Sequence, residues 1–168
     1  MTILKSKTED IDAIFKLYDQ ATAYQKTVTK KSWKGFERAL IENEIEENRH
    51  FIIKEDDKVA CTFVLTFDDA VIWKEANLEP SVYIHRIATN PDFRGRNYVK
   101  KIVDWTVNYA QENNKLYVRL DTHSGNERIN AYYESCGFTY KGISEIEWTT
   151  DLPEHYKEGS FSLFEIKI

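Results

Sequence analysis

Along this chain the spacing of apolar residues switches between a strand-like and a helical period, and few folds accept that alternation. Residues 82–89 (VYIHRIAT) are rich in β-branched and aromatic side chains and read as a strand. Asn90-Pro91 ends it. From about 97 to 112, Val99, Ile102, Val103, Thr106 and Ala110 recur at helical spacing. Asn113-Asn114 stops that helix. Residues 115–121 (KLYVRLD) then alternate, with Leu116, Val118 and Leu120 opposite Tyr117, Arg119 and Asp121. A short helix over about 127–135 runs into Gly137, the residue type a helix C-terminus prefers.

The flanking segments follow the same logic. Residues 2–5 read as an opening strand. Thr8 is the expected N-cap of a helix carrying Ile11, Ile14, Phe15 and Tyr18. A second helix is expected over about 32–47, with Trp33, Phe36, Leu40, Ile41 and Ile45 on its apolar stripe. Residues 50–54 and 58–67 read as a hairpin around Asp56-Asp57, and 69–80 as irregular. Residues 138–142 and 159–168 read as two last strands. Interleaved helices and strands with a hairpin in the middle predict a mixed sheet with helices on its faces.

At 168 residues the chain suits one core, so residues 1–168 are read as a single domain. The net charge is -5, which disfavours nucleic acid and mildly favours a cationic partner. Cys61 and Cys136 lack metal-ligand spacing and read as free thiols of a reduced compartment. No metal site is expected. The N-terminus lacks a signal-peptide apolar stretch, and no apolar run approaches the roughly 18 residues of a membrane span. A cytoplasmic protein without membrane contact is expected.

Three segments carry a family resemblance. They are YIHRIATNPDFRG (83–95), FRGRNYVKKIV (93–103) and RLDTHSGNERINAYYESCGF (119–138). Together they resemble the GNAT superfamily of N-acetyltransferases, well over about 50–142 and, in the first 48 residues, only in helical character. The resemblance implies a GNAT-like α/β fold: a twisted, mostly antiparallel mixed sheet of about seven strands flanked by about four helices. It implies acetyl-CoA as cosubstrate and an amine as acceptor.

Each implied site residue has a chemical reason. A tight turn opening a helix presents backbone N–H groups and the positive dipole end to a pyrophosphate. Here that turn is Arg94-Gly95-Arg96-Asn97-Tyr98-Val99. The family has glycine where this chain has Asn97 and Val99. Asn tolerates a left-handed backbone, whereas β-branched Val99 crowds a close approach. Arg94, Arg96 and Lys100 are the expected compensating charges. By resemblance, the backbone of Ile87, Ala88 and Thr89 lines the pantetheine arm and steadies the thioester carbonyl. Asn126 contacts the same arm, and Tyr133 protonates the departing sulfur. The plainer reading of Tyr133 is aromatic packing. Tyr132 and Phe138 read as packing residues.

An alkylammonium is almost wholly protonated at neutral pH, so the acceptor needs a base. His85 and Asp121 are the candidates, with His123, Glu75 and Glu79 behind them. A strand histidine is more often structural, and Asp121 has an alternative as a cap of the following turn. Tyr24, Trp33, Trp73 and Trp148 are candidate walls for the acceptor, each Trp with core packing as its alternative. The leading expectation is direct acetyl transfer to a primary amine of a small molecule or peptide in a ternary complex. The alternative is a CoA-binding regulatory or interaction protein with weak or no turnover. A dinucleotide-binding enzyme is disfavoured because no Gly-x-Gly-x-x-Gly follows a strand. A homodimer through a sheet edge or the last strand is compatible with the sequence.

Overall fold

The computed structural model describes residues 2–152, 157 and 159–168. Its strands are β1 (Thr2–Lys5), β2 (His50–Glu55), β3 (Lys58–Thr66), β4 (Ser81–Thr89), β5 (Tyr117–His123), β6 (Thr139–Glu145) and β7 (Ser160–Lys167). They form a seven-stranded sheet in the order β1-β2-β3-β4-β5-β7-β6. Helices α1 (Ile11–Val28), α2 (Arg38–Glu46), α3 (Ala70–Trp73), α4 (Tyr98–Glu112) and α5 (Glu127–Ser135) complete a mixed α/β architecture. β4 and β5 run parallel, whereas β1–β2, β2–β3, β5–β7 and β6–β7 are antiparallel. Among the described residues no helix is long and apolar enough to cross a membrane.

The chain forms two compact units: residues 1–65 with 85–98, and residues 66–84 with 99–168. In the first, α1 and α2 supply Ile14, Leu17, Tyr18 and Ile41 to a core shared with Ile52 and Ala88. Trp33 and Phe36 pack against Tyr18, with ring centroids 5.8 and 4.9 Å away. They do so from an irregular segment: α2 begins at Arg38, later than its apolar stripe suggests. Gly35 at φ 99° has left-handed backbone that a right-handed helix cannot contain, so the helix starts beyond it. Thr8 does not cap α1. It opens a 3-10 turn, and the Lys7 N–H donates to the Asp10 carboxylate at 2.9 Å.

The first unit also buries a polar chain. His50 is hydrogen-bonded to Ser6 Oγ through Nδ1 (2.8 Å) and to the Tyr18 hydroxyl through Nε2 (3.0 Å). Burial, reinforced by the Arg86 charge, pushes the imidazole down to about 3, so His50 is neutral.

In the second unit Ile72, Trp73, Tyr83 and Phe161 form a core with Ile146 and Leu163 around it. α3 and the 3-10 turn Lys74–Leu78 occupy the stretch expected to be irregular. Arg119 on β5 is 1% exposed. It donates to the Ala76 carbonyl (2.6 Å), Ser81 Oγ (2.8 Å) and Glu165 (2.8 Å), and pairs with Glu79. Its guanidinium also lies over Trp73 and Tyr117. The polar face read on 115–121 is therefore covered, and Leu116, read as apolar-face, is exposed and precedes the strand. Tyr132, expected in the core, is also exposed, whereas Phe138 is buried as expected.

Candidate active site

In the first unit the candidate residues follow one another along β4 and the turn after it. Arg86 holds φ 49° in mid-strand, a left-handed residue that interrupts the pleat. Its side chain pairs with buried Glu44 of α2 and lies 5.0 Å from the Phe36 ring centroid. Burial raises the Glu44 carboxyl, and the Arg86 charge and hydrogen bond oppose the shift. Beyond this kink Ile87 and Thr89 are half-buried and Ala88 is buried. His85, just before it, is half-buried. Thr89 Oγ1 lies 3.5 Å from Cys61 Sγ. Burial pushes that thiol up to about 12, so Cys61 is no nucleophile near neutral pH.

Asn90 fixes the exit from β4. Its N–H donates to the Ala60 carbonyl (2.8 Å), and its side-chain oxygen accepts from the Asp92 N–H (3.0 Å). The chain then turns through Gly95 at φ 79° and Asn97 at φ 56° before α4 starts at Tyr98. Asn97 thus takes the left-handed backbone that asparagine tolerates. Val99 does not need it, because Val99 lies in the first turn of a fifteen-residue helix. The cost of Val99 is one of bulk, not of backbone strain. A Cβ on Gly95 would meet nothing within 4 Å, so space is open beside the turn. Left-handed Gly95 and Asn97, on either side of Arg96 just ahead of a helix N-terminus, suit a phosphate group.

The expected compensating cations are otherwise engaged. Arg96 pairs with Glu55, Arg94 lies over the Tyr24 ring at 4.3 Å, and Lys100 pairs with Asp104 one helical turn on. Tyr98 is buried, and burial with Glu55 nearby pushes its hydroxyl up to about 12.

In the second unit Asp121 lies within β5, opposite Leu163 of β7, and caps no turn. A carboxylate oxygen of Asp69, the residue before α3, lies within 4.8 Å of one from Asp121. Burial and the mutual repulsion of the pair raise Asp121 well above the carboxylate range. Asp69 is raised to about 6, first by burial; the Ile72 N–H and Asp121 oppose the shift. Asn77 accepts from the Asp69 N–H (2.7 Å) and donates to Asp68 (2.8 Å), which fixes the approach to α3.

Tyr133 of α5 packs against Phe164 (5.2 Å) and Phe138 (6.3 Å). Burial first, then the Asp121 charge, raises its phenol above the usual range, so it holds its proton. Asn126 caps α5, its oxygen accepting from the Ile129 N–H at 3.1 Å. His123 lies 5.0 Å from the Phe161 ring. Glu79 pairs with Arg119. Of the candidate walls, Trp73 is core, Trp33 belongs to the Tyr18 cluster and Trp148 carries Lys157 over its ring. Cys136 is buried and its thiol raised by burial, which fits a structural role.

Sequence reasoning missed Asp69, Arg86, Glu44 and Arg119. For Asp69 a signal existed: a carboxylate directly before the apolar run AVIW is a helix-start pattern. Arg119 and Glu44 carried none, since a charge within an amphipathic element reads as a solvent-facing position.

The Acetyltransferase (GNAT) family profile matches residues 11–138, and the chain belongs to that family. It is by class an acyl-CoA-dependent acetyltransferase. The uncharacterized N-acetyltransferase YesJ of Bacillus subtilis (strain 168) is 22% identical over 142 residues, covering 80% of this chain and 79% of YesJ. A GNAT-family acetyltransferase structure from Listeria monocytogenes 4b F2365 is similar at 19% identity with a TM-score of 0.78, covering 99% and 94% of the two chains. The structure of yncA from Salmonella typhimurium with its cofactor acetyl-CoA has a TM-score of 0.70 at 14% identity, covering 99% of this chain and 93% of that one.

Proposed function

We propose that this chain transfers an acetyl group from acetyl-CoA to a primary amine by direct attack. The turn at Gly95 and Asn97 supports this reading most directly: its left-handed residues precede a long helix, as a pyrophosphate site needs. Arg94, Arg96, Asn97, Tyr98 and Val99 surround that phosphate role. The backbone of Ile87, Ala88 and Thr89 orients the pantetheine arm and offers N–H groups to the charge developing on the carbonyl oxygen. Asn126 steadies the same arm through its amide nitrogen.

The amine nitrogen forms its bond to the carbonyl carbon as the carbon–sulfur bond breaks. The first ammonium proton passes to the Asp69–Asp121 pair, in which Asp69, raised to about 6, suits a base working near neutrality. The second, lost as the amide forms, replaces the proton that Tyr133 gives to sulfur. His85 is the alternative base.

The test is a thermal melt with and without acetyl-CoA, followed by thiol release with a panel of amines. At a hundredfold excess over Kd, binding adds about 2.7 kcal/mol, or roughly 5–10 °C in Tm for a chain of this size. No shift at millimolar acetyl-CoA would sink the reading. A shift without thiol release from any amine would instead favour a binding protein, the reading to which Val99 and the engaged Arg96 lend weight.

A further inference from the structure

The second unit contains a cavity of about 830 Å³ between the α3 segment and residues 145–152. Val71, Ile146 and Leu152 give it an apolar wall. Glu145 and Glu147 line it as exposed carboxylates, and neither joins an ion pair among the described residues; Lys74 is the one cation in the lining, so two negative charges face one positive. Ser160, the first residue of β7, lies at its edge.

The cavity is held open by specific bonds. Lys74 donates from Nζ to the Glu145 carbonyl at 2.8 Å, and Ser144 Oγ donates to the Ile72 carbonyl at 2.6 Å. These tie α3 to the end of β6. Lys74 itself holds φ 49° and ψ -126°, backbone that a non-glycine residue adopts only under strain. Strain of this kind concentrates where a ligand is held.

The cavity also lies in register with the candidate base. Phe161, Ser162 and Leu163 pair with His123, Thr122 and Asp121. Ser160 is therefore three residues along β7 from the rung of Asp121, about 10 Å at strand rise.

We propose that this cavity holds the far end of the acceptor, and that this end is cationic: the acceptor is an elongated small-molecule diamine. Glu145 and Glu147 balance the distal ammonium. Val71, Ile146 and Leu152 pack on the methylenes between the two nitrogens. The net charge of -5 favours the approach of such a cation. The inference rests on the amine-acetyltransferase reading above.

The test is calorimetric titration of the whole chain with unbranched α,ω-diamines and with monoamines of equal length. Binding is read directly, so it reports whether or not turnover occurs. Diamines spanning about 10 Å are expected to bind about fivefold more tightly than matched monoamines, the size of one partly exposed ion pair. In the double variant Glu145→Gln, Glu147→Gln that preference disappears. Both side chains are exposed, so the substitutions leave the core intact. Equal binding of the two series, or a preference that survives in the double variant, overturns the proposal. Thiol release with acetyl-CoA is measured alongside: preferential diamine binding without release counts against acetyl transfer and leaves the cavity assignment standing.

Discussion

Tyr133 is the proposed acid of the second unit, and the proposal rests on one hydroxyl. Its ring packs on Phe164 and Phe138, and burial with Asp121 nearby keeps the phenol protonated. Tyr133→Phe removes the hydroxyl and keeps the packing. We expect kcat to fall about a hundredfold, the low end for a positioned acid, because a thiol already leaves readily. The Kd for acetyl-CoA should stay the same. Steady-state kinetics with a parallel binding titration reads both, and an unchanged kcat removes Tyr133 from the mechanism. Neighbouring Tyr132 shows how local such assignments are: one position along α5 the ring is exposed.

At the scale of elements, Arg119 secures the α3 segment. It reaches Ala76 and Ser81 on one side and Glu165 of β7 on the other, beneath the Trp73 ring. Arg119→Met fills similar volume but leaves largely buried Glu165 with only the half-exposed Lys141, 3.7 Å away, as counter-charge. We expect a loss of about 3 kcal/mol in urea unfolding, with earlier proteolytic cleavage within 70–79. Loss of stability without earlier cleavage there would mean that Arg119 supports β5 and β7 alone. This element also marks where the sequence stopped being legible. The order of strands and longer helices was readable because each spans at least two periods of its pattern, and the turn at 94–99 through the family resemblance of the segments around it. α3 has four residues, too few to show a period. The kink at Arg86 was invisible because arginine gives no hint of left-handed backbone, and the side chain's partner, Glu44, is forty-two residues away. The place of β7 between β5 and β6 was likewise beyond local patterns, since it rests on pairing distant in sequence.

For the molecule as a whole, the buried titratable groups set opposing slopes of stability with pH. His50 is held neutral, its pKa lowered from 6.5 to about 3. The unfolded chain therefore binds the extra proton between these values, and stability from this group is lost as pH falls below about 6.5. Asp69 works the other way. Its pKa rises from 3.8 to about 6, so the folded chain holds the extra proton between those values. Stability from Asp69 is therefore greatest at low pH and declines as pH rises through about 4 to 6. Asp121, raised further, extends the decline upward. The two effects overlap in the wild type, so its own pH curve does not separate them. Asp69→Asn does. Asparagine keeps the shape and removes the charge. Near pH 4 the variant and the wild type should be equally stable. By pH 7 the variant should lead by up to about 3 kcal/mol, the energy of a two-unit shift. Urea unfolding at pH 4, 5, 6 and 7 measures the gap. A gap that grows with pH, alongside loss of acetyl transfer, means that the pair is kept for its proton at a cost in stability. A gap constant across pH would mean that Asp69 ionises normally, and the base would then have to be sought at His85.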